Sequence, residues 1–227
     1  MFKKNNSMFS TSKYGNLLTV ILVIAIIAII GIIIFIGYNI YKKYYIEKGA
    51  EEAVAQFENI TGNNDNNVVD NTTKQDLSAI GEGMDSTSGS SGVKTTYKGF
   101  NVVGTIQIPK INLKYPVLEK VTKKSLETSV AFLYGPGLNE VGNNVIIGHN
   151  YRNGTMFSNV KKLENGNSIY ITDLTGKKVK YVVYKIYRTS GDDASYMTRN
   201  TNGKREISLS TCTDDSKART IVWAREE

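Results

Sequence analysis

The sequence predicts an all-β domain, closed as a barrel or folded as a sandwich, behind one N-terminal transmembrane helix. Three observations carry this. At least seven short β-branched or alternating segments lie between Val102 and Trp223, with little between them that reads as helix. One run, Leu17 to Ile40, has 24 residues and no charge. Between the two lies a polar, acidic stretch with few large apolar side chains. Such a stretch cannot bury enough surface to offset the entropy of ordering it.

The apolar run comes first. At about 1.5 Å per residue it spans roughly 36 Å, enough to cross a hydrocarbon core of about 30 Å. A cleavable leader has a shorter apolar region, roughly 7–15 residues, followed by small residues. Here Tyr38, Tyr41, Tyr44 and Tyr45 follow, as an interfacial aromatic belt does. Residues 17–40 are therefore expected to be an uncleaved, single-pass anchor in the cell membrane, with 1–16 as a short cytoplasmic tail. Lys3, Lys4 and Lys13 before the run balance Lys42, Lys43 and Lys48 after it, so charge barely orients the helix. The N-terminus is placed inside because the chemistry argued below belongs outside, which makes the folded domain extracellular. Residues 41–96 are expected to be a flexible acidic linker, within which Glu47 to Glu58 forms a short helix.

Charge follows the same division. Residues 1–43 carry a net +5 and residues 44–96 a net −6. Residues 97–227 carry 20 basic and 12 acidic side chains, a net +8. A basic domain suits an anionic surrounding such as a cell wall or nucleic acid. The expected topology keeps it from the cytoplasm, so no nucleic acid is expected as a partner. The chain has one Cys and one His. That excludes an internal disulfide and a multi-Cys metal site, and neither a cofactor nor a metal is expected.

The folded domain is expected over 97–227. Val102 to Ile108 alternates and is β-branched, and Pro109 ends it. Lys114 to Leu118 reads as a second strand. Thr122 caps a short helix ending near Thr128. Tyr134-Gly135-Pro136-Gly137 is a turn. Val145 to Gly148 is a short apolar strand that delivers His149 at its end. Thr155 to Leu163 reads as one or two helical turns. Ser168 to Thr172 and Lys178 to Arg188 are strands joined by a turn at Thr175-Gly176. Glu206 to Thr211 and Thr220 to Trp223 are the last two strands.

Three residues in this frame carry chemistry. Along Glu206 to Cys212 the pattern alternates, placing Ile207, Leu209 and Thr211 on one face and Ser208, Ser210 and Cys212 on the other. Cys212 therefore points away from the apolar residues. A lone thiol on an exported domain is a reactive candidate. Residues 213–218 are turn-forming and Arg219 follows. A hairpin around them sets Cys212 opposite Arg219, with Cβ atoms about 4.5–5.5 Å apart. A guanidinium there favours thiolate and stabilises an oxyanion. His149, the one imidazole, ends a buried strand and opens a polar loop. A Cys nucleophile needs a proton partner that works near neutral pH, and His is the natural one.

Ser208-Leu209-Ser210-Thr211-Cys212, with Arg219-Thr220-Ile221-Val222 after a short loop, resembles the signature of the sortase family. Ser208 stands where that family usually has Thr. Gly148-His149-Asn150 with Thr155-Met156-Phe157 resembles the family's histidine region. Gly104 to Lys110 with Tyr115-Pro116-Val117 resembles its opening strands. The resemblance runs from about Phe100 to Glu227. It implies an eight-stranded sortase-type β-barrel with short helices and a cysteine transpeptidase. Cys212 is then the nucleophile, His149 the general acid/base, Arg219 the substrate or oxyanion stabiliser and Thr211 a substrate contact. The implied partners are surface proteins bearing a C-terminal sorting signal, cleaved at a Leu-Pro-x-Thr-like motif, and an amine of a cell-wall precursor. The form is expected to be class D-like or class B-like. No long amphipathic helix lies between Tyr187 and Arg205, which argues against class B, and no second apolar segment follows the domain, which argues against class C. Asp192 and Asp193 sit in a loop where some relatives bind calcium, but two adjacent acids do not make such a site.

Two readings compete. One is a surface-displayed binding module on a tether, with Cys212 as a small buried hydrophobe. The other is a cysteine peptidase acting on the wall cross-bridge, although the Ser-x-Gly-Cys run of L,D-transpeptidases is absent.

Overall fold

A computed structural model describes residues 11–62 and 95–227. Most of the expected tail and residues 63–94 of the expected linker lie outside the described residues. The chain divides into two units, residues 1–46 and 47–227. Helix α1 (Thr11–Gly62) begins in the first. There its apolar side chains, Ile24, Ile33 and Phe35 among them, are exposed. By length and composition this helix is a candidate membrane span.

In the second unit, the end of α1 packs on the β domain. Ala50, Val54, Phe57 and Thr61 are buried, an i, i+4, i+7, i+11 stripe on one helical face. Phe57 joins Tyr97, Val102, Leu118 and Ala131 in one cluster. Lys114 pairs with Glu58 at 3.2 Å. This corrects the expected linker of 41–96 at its start. The helix expected over Glu47 to Glu58 is present as the end of α1, and its apolar stripe is docked. Phe57→Ala is expected to destabilise this unit by about 3–5 kcal/mol, the usual cost of an emptied aromatic site. Urea unfolding measures it, and a loss under 1 kcal/mol would mean the helix is not held there.

Nine strands follow: β1 (Thr95–Tyr97), β2 (Phe100–Ile108), β3 (Leu113–Leu118), β4 (Val130–Tyr134), β5 (Gly142–Ile147), β6 (Ser168–Asp173), β7 (Lys178–Ser190), β8 (Arg205–Cys212) and β9 (Ala218–Glu226). Eight of them close in the order β2-β3-β4-β5-β8-β9-β7-β6, and β6 pairs back onto β2. Closure removes the sheet edges. β1 is a short hairpin partner of β2. The pairs β3–β4 and β5–β8 are parallel.

All seven expected strands are present, and β1 and β4 are additional. Val130-Ala131-Phe132-Leu133-Tyr134 is a continuous apolar run without alternation, which by itself reads equally as buried helix. α2 (Lys123–Thr128) starts as expected at Thr122, whose Oγ1 accepts from Ser125 N at 3.0 Å while Ser125 Oγ accepts from Thr122 N at 2.8 Å. The turns expected over 155–163 form a 3-10 helix, Phe157–Lys162, with Phe157 and Val160 buried.

Candidate functional site

β8 and β9 form the hairpin that the turn residues implied, and Cys212 lies directly opposite Arg219 in its register. Turn residues 213–217 close it. Thr213 N donates to Ala218 O at 2.9 Å, and Thr213 Oγ1 donates to Asp215, whose carboxyl this bond holds below its ordinary value. Cys212 is a free, half-buried thiol.

His149 arrives through the parallel pairing of β5 with β8. The register ends at Ile147 opposite Ser210. Beyond it, Gly148 N donates to Ser210 O at 3.2 Å, and Asn150 Nδ2 donates to Cys212 O at 3.0 Å. Both neighbours of His149 are thus tied to the end of β8 that carries Cys212. Gly148 is required for this approach. A Cβ there would stand 2.8 Å from Val130 Cγ1 and 2.9 Å from the Phe157 ring. Beyond His149 the chain folds back: Phe157 N donates to His149 O at 3.1 Å and Asn150 bridges Met156. Met156 holds φ 49°, a left-handed conformation uncommon outside glycine. Its N–H donates to the Tyr115 hydroxyl at 3.1 Å, whose pKa burial pushes up to about 12. The His149 ring lies 5.1 Å from that of Tyr151.

Arg219 donates from Nε to Gly191 O at 3.1 Å, in the loop after β7. Its terminal nitrogens have no protein partner among the described residues. No hydrogen bond joins Cys212 Sγ to His149 or Arg219 among the described residues. Catalytic hydrogen bonds commonly tighten only when substrate is bound.

The two faces of the hairpin differ. Leu209, Thr211, Thr220 and Val222 belong to the barrel interior and are buried. A cleft of about 410 Å³ opens at this end of the hairpin, lined by Asn150, Phe157, Ile186, Thr211, Cys212 and Thr220 among others, with neither His149 nor Arg219 among its walls. The opposite face carries Ser208, Ser210, Cys212, Arg219, Ile221 and Trp223. Loop residues 191–204 cover its far part. Ser210 Oγ donates to the Tyr196 hydroxyl, Asn143 Nδ2 donates to Tyr196 O and Met197 O, and Ser208 Oγ donates to Asn143 Oδ1. Arg199 in this loop pairs with Glu206, both nearly buried, and lies 4.6 Å over the Trp223 ring. At the other end lie Cys212 and Arg219, the latter bonded to Gly191 at the start of this loop. A second cavity is lined in part by Leu133, Tyr134, Met197 and Arg199.

Thr211, the expected substrate contact, lines the same cleft as Cys212. Its side chain is 2 % exposed, and Oγ1 donates to Gly148 O at 2.8 Å. Strand alternation turns it inward, so it fastens the residue before His149 to the residue before Cys212. Asn150 entered the sequence reading only as part of the histidine region and its polar loop, with no role of its own. Asp193 accepts from Thr189 Oγ1 and from Ser195 N, bonds that hold its carboxyl below the ordinary value. Among the described residues, no group of three His, Cys, Asp or Glu side chains is placed to hold a metal.

The Sortase domain family matches residues 106–227. Sortase A of Bacillus anthracis is 32 % identical over 124 residues, which are 53 % of this chain and 58 % of that protein. The solved structure of sortase A from Corynebacterium diphtheriae is 29 % identical, with a TM-score of 0.51 over 56 % of this chain and 61 % of that one. That of Clostridium perfringens sortase C with the C-terminal cell wall sorting motif is 26 % identical, with a TM-score of 0.50 over 56 % of this chain and 70 % of that one.

Proposed function

The chain belongs to the sortase family, and from that premise we propose that it is a membrane-anchored cysteine transpeptidase acting on surface proteins that carry a C-terminal sorting signal. The observation that carries this reading is the direct pairing of Cys212 with Arg219, with the residues on both sides of His149 hydrogen-bonded to the same strand end.

In the proposed reaction, the Cys212 thiol passes its proton to His149 and the sulfur attacks the carbonyl carbon of the Thr in a Leu-Pro-x-Thr-like motif. The oxyanion that forms is stabilised by the free nitrogens of Arg219. As the intermediate collapses, the C–N bond breaks and His149 gives its proton to the leaving amine. The acyl group remains on sulfur as a thioester. An amine of a cell-wall precursor then attacks it, His149 takes the proton from that amine, and the new amide leaves with Cys212 freed. The apolar part of α1 serves as the anchor, with the catalytic unit outside the cell.

The test is intact-mass analysis after incubation with a library of sorting-motif peptides. A thioacyl adduct on Cys212 is expected, and its mass reports the motif. An unmodified Cys212, together with specific adhesion to a wall polymer, would instead favour the tethered binding module.

A further inference from the structure

The transpeptidase reading requires His149 and Cys212, on two different strands, to be held in one mutual position. His149 lies beyond the last paired residue of β5, so the β5–β8 ladder does not itself fix it. The side chain of the next residue does. The geometry points to Asn150 as the positioning residue that sets His149 against Cys212, an inference that rests on the proposed function.

Every hydrogen-bonding atom of the Asn150 amide is engaged. Nδ2 donates to the backbone carbonyl of Cys212 at 3.0 Å and to Asp214 Oδ1 at 2.9 Å, and Oδ1 accepts from Arg152 N at 3.0 Å. The amide orientation is forced, because a carbonyl and a carboxylate only accept and a backbone N–H only donates. One side chain thus joins the loop after β5, the backbone of the nucleophile and the β8–β9 turn.

Two further contacts brace the same pair of loops. Lys161 pairs with Asp214, and Arg152 Nη2 donates to Ser216 Oγ at 2.8 Å. Lys161, then Asn150, holds the Asp214 carboxyl below the ordinary carboxylate range. Its folded value is depressed, so the latch is fully present at neutral pH and is lost as pH falls through that depressed value. Only Asn150 reaches the backbone of Cys212 itself. A simple turn cap would need no more than the bond from Arg152 N, which is the bland alternative.

Asn150→Asp separates the two. It is nearly isosteric and keeps an oxygen for Arg152 N, but it loses both donors and faces Asp214 with a like charge. A turn cap survives this change and a positioning residue does not. With a sorting-motif peptide, kcat is expected to fall about 10- to 100-fold, the scale of a small misplacement of catalytic groups, with KM within threefold. In Asn150→Asp combined with Asp214→Asn, donor and acceptor are exchanged and the bond between the loops is restored. That variant is expected to regain several-fold in kcat, while the bond to Cys212 O stays lost. An Asn150→Asp enzyme with kcat within twofold of the parent overturns the inference. So does a loss accounted for by a smaller folded fraction in thermal unfolding recorded alongside. Cys212→Ala in the same assay keeps the two questions apart. If it still cleaves, the transpeptidase reading fails; if it does not, the Asn150 result judges the positioning role alone.

Discussion

Cys212→Ala is expected to abolish thioacyl formation and to lower sorting-peptide cleavage by at least about 10⁴-fold, the scale on which enzymes lose turnover with their nucleophile. The unfolding midpoint is expected to stay close to that of the parent. Both halves follow from where the residue sits. Cys212 ends β8 half-buried, beyond the part of its face that loop residues 191–204 cover. Its sulfur contributes little to the core, so removing it leaves only a small void. A structural thiol predicts the reverse, with a loss of stability and no change in any activity. Peptide cleavage and denaturant unfolding on the same sample decide between them. Retained cleavage at parent level would falsify the nucleophile assignment outright.

The Cys212–Arg219 pair was legible because it is local. Strand alternation over Glu206 to Cys212 gave its face, and a short turn gave the register, which β8–β9 pairing reproduces. His149 was different. Its meeting with Cys212 depends on a parallel pairing between β5 and β8, which no hairpin turn announces. Motif resemblance singled out His149, and neither it nor periodicity gave that pairing. The inward position of Thr211 was visible in the same alternation, beside Ile207 and Leu209, and its expected substrate contact came from the resemblance alone. β4 escaped because a continuous apolar run has no period to read. The helix at the end of α1 was legible, and its apolar stripe, Ala50 to Val54 to Phe57, is the part that docks. Ser208 and Ser210 looked like a solvent face. They are buried because Asn143, Tyr196 and Arg199 answer their hydroxyls, and such partners lie beyond any local pattern.

Arg219→Lys tests geometry at constant charge. If Arg219 acted only as a positive charge beside the thiol, lysine would serve nearly as well. In the proposed reaction the guanidinium has two tasks. Nε donates to Gly191 O and fixes the side chain against the loop after β7. The terminal nitrogens remain for an oxyanion beside Cys212, directly across the hairpin. A lysine ammonium is a single compact donor on a flexible stem. It can satisfy Gly191 O or reach toward the oxyanion, but it cannot hold one while offering a planar fork to the other. The expected loss in kcat is about 10²- to 10³-fold, the usual cost of an oxyanion donor. Cys212 alkylation by iodoacetamide is expected to change far less, because the positive charge near the sulfur is kept. The contrast between the two rates identifies the role: parallel losses would mean that Arg219 acts on the thiol, and near-parent turnover would remove it from the reaction altogether.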